Sequence, residues 1–218
     1  MGAEAPSMNS VTLDGRHVRL EPLSLSHLAA LTAEGADPAI FQHFPAAFSS
    51  PAGMKAFFDD ALQMREKGVG MPFVIIAKSE GKPVGSTRFG NFERRHRRAE
   101  IGWTWLATRH QRTGINTEMK YLMLRHAFET LKLIRVEFKT DSLNEQSRRA
   151  LARIGAVEEG TFRNHMITQS GRIRHSVFYS ITDGDWPSVK SRLEEMMAEK
   201  KGSGTFSGAE SGDPAGSG

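Results

Sequence analysis

The chain has 218 residues with 39 % hydrophobic and 25 % charged side chains, the size and make-up of one globular domain with a full core. Its 29 Lys and Arg against 25 Asp and Glu give a net charge of +4, an excess that fits an acidic ligand, a phosphorylated cofactor or a weak nucleic-acid surface equally well. The absence of cysteine excludes disulfides, thiolate-held metals and a Cys nucleophile, and no apolar run approaches the ~18 residues of a membrane span.

The opening MGAEAPSMNS has no basic segment followed by an apolar one, so it does not read as a secretory signal, and the expected compartment is the cytoplasm. Residues 1–10 and the Gly/Ser-rich end, 199–218, are expected to be disordered, because too few apolar groups are present to offset the entropy of ordering. The stretch 11–198 is expected to form one domain.

In chain order, Val18 and Leu20 alternate with Arg19 in a first strand. A helix opens at Ser24-Leu25-Ser26 and runs to about Ala33, with Leu25, Leu28, Ala29 and Thr32 on one face. After a loop rich in Pro and Phe, Ser50 caps a second helix with Pro51 at its first position. Met54, Phe57, Phe58, Ala61 and Arg65 fall at helical spacing there, and Gly68 ends it. Pro72–Ala77 and Pro83–Phe89 form a hairpin around Ser79-Glu80-Gly81-Lys82. The basic cluster Arg94, Arg95, His96, Arg97 and Arg98 then reads as a solvated turn leading into a strand over Ala99–Leu106. No aromatic-interleaved basic stripe or recognition helix accompanies it, which argues against a nucleic-acid partner.

Downstream, a helix over Asn116–Leu131, a strand over Arg135–Lys139 and a helix over Asn144–Ile154 stopped by Gly155 are expected. Strands over Glu158–Ile167 and Ile173–Ile181 follow, and a last helix capped by Asp185 carries Val189, Leu193 and Met196. Strands interleaved with helices imply an α/β (mixed α+β) domain around one mixed sheet.

Chemistry concentrates where the strand ending Trp103-Thr104-Trp105-Leu106 passes through Gln111-Arg112-Thr113-Gly114-Ile115-Asn116-Thr117 into a helix. A helix N-terminus carries unpaired N–H groups and a positive dipole end, so a phosphate or pyrophosphate is its natural occupant. One glycine before a helix is also simply a tight turn. No Walker loop or Gly-x-Gly-x-x-Gly run supports nucleotide hydrolysis or dinucleotide binding.

This segment resembles the acetyl-CoA loop of the GNAT superfamily, Gln/Arg-x-x-Gly-x-Gly/Ala, with Asn116 where Gly or Ala is usual. Asn144-Glu145-Gln146-Ser147 and Ile154-Gly155-Ala156-Val157 resemble the branch that acetylates N-termini of ribosomal proteins. The resemblance runs in order from about Val11 to Val189. It implies a GNAT-like acyl-CoA N-acyltransferase fold, with a central splayed mixed β-sheet flanked by helices and the pantetheine lying in the splay. It further implies acetyl-CoA as co-substrate with no metal, a primary amine as acceptor, and a homodimer as a common assembly.

Trp105 and Leu106 would then pair with the pantetheine, residues Gln111 to Thr117 would hold the pyrophosphate, and Asn144 would bond the pantetheine. With no cysteine, direct attack of the amine in a ternary complex is expected over an acyl-enzyme. Ser147, on one helical face with Ala150, Leu151 and Ile154, is the candidate proton donor to the thiolate. The alternative is a serine bonded to its own helix. Glu100, read on a strand face with Gly102 and Thr104 and opposite Ile101, Trp103 and Trp105, is the candidate base, a structural ion pair being the other reading. His165 is a second candidate. The competing functions are acetylation of a small amine (polyamine, antibiotic or amino acid) and an inert acyl-CoA-binding module.

Overall fold

The computed structural model describes residues 11–199; the expectations for residues 1–10 and for the Gly/Ser-rich end beyond 199 lie outside the described residues. A two-residue strand β1 (Leu13–Asp14), which alternation was too short to signal, pairs with β2 (Val18–Pro22). Next come α1 (Leu28–Glu34), α2 (Pro51–Glu66), β3 (Met71–Ala77), β4 (Lys82–Glu93) and β5 (Arg98–Leu106). The second half is α3 (Ile115–Arg125), β6 (Arg135–Asp141), α4 (Glu145–Arg153), β7 (Val157–Ile167), β8 (Ile173–Thr182) and α5 (Trp186–Glu199).

Local chemistry explains several of these boundaries. Ser50 Oγ accepts from Gly53 N at 3.0 Å with Pro51 behind it, and Asn144 Oδ1 accepts from Ser147 N at 2.9 Å. Gly155, at φ +92°, turns the chain out of α4 in a conformation that costs glycine little.

Two expectations need correction. Leu25–His27 is a single 3₁₀ turn ahead of α1. With about three residues per turn it shifts the helical phase, so Leu31 is buried while Leu25 and Ala29 are exposed. The helix expected to reach Leu131 becomes a π-helical turn at His126–Thr130. Asp185 stands immediately before α5, as expected, and its carbonyl accepts from Val189 N at 3.1 Å, while its carboxylate turns back to Thr182 N and Oγ1 at 2.9 and 2.6 Å.

Among the described residues eight strands form one sheet in the order β1-β2-β3-β4-β5-β6-β8-β7. Every pair is antiparallel except β5 and β6, which are parallel. All seven residues of the central β3 are buried, because both faces of the sheet are covered. Phe73 and Ile75 point into a core shared with α3, α4 and α5, and Val74 and Ile76 into a second core with α1 and α2.

The β5–β6 contact positions the site. Their register covers only Arg98↔Arg135, Ala99↔Val136 and Glu100↔Glu137, although β5 continues to Leu106 and β6 to Asp141. Beyond Glu100 the strands splay, and the β5 main chain from Ile101 onward has no strand partner on its β6 side. On the other side β5 lies close against β4. A Cβ added at Gly85 would sit 2.2 Å from the Trp105 carbonyl oxygen and 3.0 Å from Leu106 Cα. Backbone cannot yield as a side chain can, so Gly85→Ala is expected to cost about 1–3 kcal/mol in urea unfolding. A loss under a few tenths would mean that this approach is looser than the geometry indicates.

Candidate active site

The splay opens into a cavity of about 990 Å³ that runs from the N-terminus of α3, along the free edge of β5, to the segment His43–Pro45 and β8. At one end lies a cradle of main-chain donors. Arg112 is held at φ +60°, Gly114 caps α3, and Ile115 N is engaged by Thr113 Oγ1 at 3.3 Å. The N–H groups of Arg112, Thr113, Gly114, Asn116 and Thr117 have no hydrogen-bond partner among the described residues. Donors converging through a left-handed residue onto a helix start form an anion nest. Arg149 and Arg153 also line this end.

The sequence-singled residues divide by location. Trp105, Leu106, Gln111, Arg112, Thr113, Asn116, Asn144 and Ser147 line the cavity, and so does Glu100. Gly114, Ile115 and Thr117 do not: Ile115 is in the core, and Thr117 Oγ1 accepts from Arg153 Nη2 at 3.0 Å. What Gly114 and Thr117 can offer a ligand is a main-chain N–H, whereas that of Ile115 is engaged by Thr113. Gln111 spans the cleft, with Nε2 donating to Leu106 O at 3.2 Å and Oε1 accepting from Gln146 Nε2 at 3.4 Å. Asn144 uses its Oδ1 on the α4 cap, which leaves its amide nitrogen for a ligand.

Ser147, Ala150, Leu151 and Ile154 lie together along the cavity. The Ser147 hydroxyl makes no hydrogen bond to any described residue, to its own helix included, so it is free to serve a ligand.

The expected face pattern of β5 is wrong after Gly102. Ser86 pairs with Trp105 and Arg88 with Gly102, so β5 carries one extra residue, a bulge at Trp103, which adopts φ +50°. The bulge reverses the alternation. Ile101 enters the α3-side core, Trp103 and Trp105 pack on the α2-side core, and Thr104 bonds Thr87 at 2.8 Å on the side opposite Glu100. Left-handed backbone at a tryptophan is costly, and the surroundings hold it there. The Arg88 guanidinium, 1 % exposed and paired with Asp60 at 2.7 Å, lies 4.7 Å from both the Trp103 and Phe57 rings.

At the apex of the splay, Glu100 is 6 % exposed, accepts from Asn91 Nδ2 at 2.8 Å and pairs with Lys139 Nζ at 3.5 Å. Sequence reasoning missed its neighbour Lys120 of α3, 7 % exposed, whose Nζ stands 5.1 Å from the Phe138 ring and which also lines the cavity. Burial pushes the Lys120 pKa down to about 7, against an upward pull from the Glu100 charge. The available signal was a lysine within a helix whose neighbours Met119, Leu122 and Met123 are all apolar.

At the far end, Asp141 has a fully buried side chain paired with Arg172, and Leu143 N donates to it at 3.1 Å. Burial raises its pKa, but the Arg172 hydrogen bond, the Leu143 N–H and the Arg172 and Arg174 charges outweigh that and leave it below the usual value. Burial lowers the His43 pKa, with the Arg172 and Arg174 charges, against the opposing pull of Asp141. His165 lies outside this cavity. Its Nδ1 is 3.0 Å from Ser176 Oγ, and it lines a separate small hollow with Phe162 and His175. The strand pair β7–β8 sets it beside the apex, where burial and the Lys139 and Arg174 charges lower its pKa against the pull of Glu100.

Among the described residues no cluster of three His, Asp or Glu side chains could hold a metal, and no helix is long and apolar enough to cross a membrane.

A family profile described as an acetyltransferase (GNAT) domain matches residues 17–157. The chain is similar to the Bacillus subtilis protein YdaF, provisionally named a ribosomal N-acetyltransferase, with 33 % identity over 111 residues, 51 % of this chain and 60 % of that one. Matches to the curated relatives span 52 to 66 % of their lengths. A GCN5-related N-acetyltransferase from Brucella melitensis superposes with a TM-score of 0.81 at 27 % identity, covering 90 % of this chain and 89 % of that one. RimJ of Mycobacterium smegmatis, solved in complex with CoA-disulfide, gives 0.70 at 26 % identity over 82 % and 88 %.

Proposed function

The chain belongs to the GNAT acetyltransferase family, and we propose from that premise that it moves an acetyl group from acetyl-CoA to a primary amine, with a protein N-terminal α-amine as the acceptor class. The observation that carries the reading is the continuity of one cleft. Five unpartnered main-chain donors stand at one end, an unpaired strand edge follows, and a free serine hydroxyl lies along the way. That sequence of features suits a long ligand with a pyrophosphate, an amide-bearing arm and a sulfur terminus. The name of YdaF favours a protein amine as acceptor.

When bound, acetyl-CoA supplies the acetyl group as a thioester. The residues present divide the remaining work. Main-chain N–H groups from Arg112 to Thr117 would hold the pyrophosphate. The β5 edge at Trp105 and Leu106, together with the Asn144 amide nitrogen, would bond the pantetheine. A β5 N–H near Leu106 is a donor placed for the carbonyl oxygen. The Ser147 hydroxyl would give its proton to the departing sulfur. Glu100 is already engaged by Asn91 and Lys139, a setting that suits a fixed anion holding a cation at the apex. The main gain would come from holding amine and acyl carbon together, a term worth roughly 7–11 kcal/mol in well-oriented pairs.

The test is a free-thiol release assay with acetyl-CoA against N-terminal peptides and small amines, run beside calorimetric titration. Acetyl-CoA at about a hundred times its Kd should stabilise the fold by ~2.7 kcal/mol. Turnover on peptides is the expected result. Turnover confined to small amines would move the acceptor to that class, and absence of acetyl-CoA binding would overturn the reading.

A further inference from the structure

We propose that Lys120 is the group that takes the proton from the incoming ammonium, with Glu100 as the fixed anion that stabilises the lysine once it is protonated. The inference rests on the acetyltransferase reading above and assigns a catalytic residue to it.

Lys120 projects from α3 to the point where β5 and β6 cease to pair, and it lines the cavity together with Glu100, Phe138 and Lys139. A lysine this buried ordinarily has a carboxylate against it, but its Nζ makes no ion pair or hydrogen bond among the described residues. It stands over the face of Phe138, 5.1 Å from the ring. The carboxylate in reach belongs to Glu100, which is committed to Lys139 at 3.5 Å and to Asn91 at 2.8 Å. The result is an amine with a free lone pair or a free proton, facing the space where two reactants would meet.

The charged groups on the surrounding elements set its titration. From β5, Glu100 favours the protonated form. From β6, Lys139 offsets part of that charge. Arg174 of β8 lies within electrostatic reach of Glu100, and Arg153 of α4 is tied to Thr117. On α3 itself, the Glu118 carboxylate is taken up by the Arg16–Val18 main chain. Burial dominates, so the amine loses its proton at about pH 7 instead of in the ordinary lysine range.

The proton balance closes. The acceptor arrives as R–NH₃⁺ and gives one proton to the neutral Nζ, which becomes ammonium beside Glu100. The freed lone pair forms the amide bond as the C–S bond breaks. Ser147 protonates the departing thiolate, the second proton lost from the nitrogen restores the Ser147 hydroxyl by way of solvent, and Lys120 returns its proton to solvent.

Two variants and one direct titration test this. Lys120→Met keeps the apolar stem and Lys120→Arg keeps a permanent charge. Both should bind acetyl-CoA within about threefold of wild type by calorimetry. Both should lose roughly 100-fold in kcat/KM and lack the rise in rate through about pH 7 that wild type shows. Competitive trace acetylation of the ligand-free protein with acetic anhydride, read by peptide mass spectrometry, should show Lys120 half-reactive near pH 7.

The melting temperature supplies a readout independent of activity. The folded pKa lies below the unfolded one, so the unfolded chain binds the extra proton between about pH 7 and ~10.4. Wild-type stability should therefore fall as pH drops through that window, and the Tm advantage of Lys120→Met should be larger at pH 6.5 than at pH 9.5. Near-wild-type turnover by Lys120→Met with the pH limb intact, or a Lys120 titration in the ordinary lysine range, would overturn the inference alone. A wild-type protein that neither binds acetyl-CoA nor turns over would bring down the acetyltransferase reading and this inference with it.

Discussion

Glu118→Ala is expected to remove about 3 kcal/mol of folding stability, although the residue lies far from the chemistry. Glu118 is 6 % exposed on the first turn of α3, and its carboxylate accepts three main-chain N–H groups: Arg16 at 2.6 Å, His17 at 2.7 Å and Val18 at 2.9 Å. These donors form the turn between β1 and β2, so one side chain satisfies a whole turn and pins the first strands to the helix that begins at the anion cradle. The turn is shaped to the carboxylate, since a Cβ on Gly15 would lie 2.8 Å from Glu118 Cδ. Alanine leaves three donors to find water. Arg16 and His17 are exposed enough to recover some hydration, which holds the loss near 1 kcal/mol per donor rather than the full desolvation cost. Glu118→Gln keeps one acceptor oxygen and should lose about half as much. Urea unfolding at constant m-value checks both, and a loss below 1 kcal/mol for the alanine variant would show the turn to be self-supporting.

Glu118 also shows where the sequence stops being informative. Features fixed within a few residues were legible from the chain: the Ser50-Pro51 start of α2, the Gly155 exit of α4, and the β3–β4 hairpin. Each rests on a hydrogen bond or a dihedral between near neighbours. A carboxylate serving a turn a hundred residues earlier leaves no local trace. The same holds for Lys120, whose meaning comes from the Glu100 and Phe138 side chains that the splay brings beside it.

The order of elements and the cofactor-loop resemblance pointed to the family and to a cleft between two strands. Its lining was only partly foreseen, because a single inserted residue at Trp103 reverses every later side chain of β5. That insertion is stabilised by Arg88 and Phe57 from other elements, which strand periodicity does not register. The phase of α1 failed for a related reason: a 3₁₀ turn ahead of it displaced the apolar stripe by a fraction of a turn.

Ser147→Ala is expected to lower kcat by roughly 10²–10³-fold while leaving the KM for acetyl-CoA within about threefold, the pattern of a proton delivered during reaction and not of a contact made on binding. The substitution is structurally mild. The Ser147 N–H, not its hydroxyl, completes the α4 cap with Asn144, and alanine keeps that N–H and favours helix. No described residue bonds the hydroxyl, so its removal orphans no partner. Stability should then change by no more than a few tenths of a kcal/mol, which separates this variant from Asn144→Ala. Losing the Asn144 cap should cost about 1 kcal/mol and, with the amide nitrogen gone, weaken acetyl-CoA binding as well. Equal effects of the two substitutions on KM and kcat would place Ser147 among the binding groups. An unchanged kcat in Ser147→Ala would leave the sulfur to be protonated by water in the cleft, with Ser147 only lining the space where that water stands.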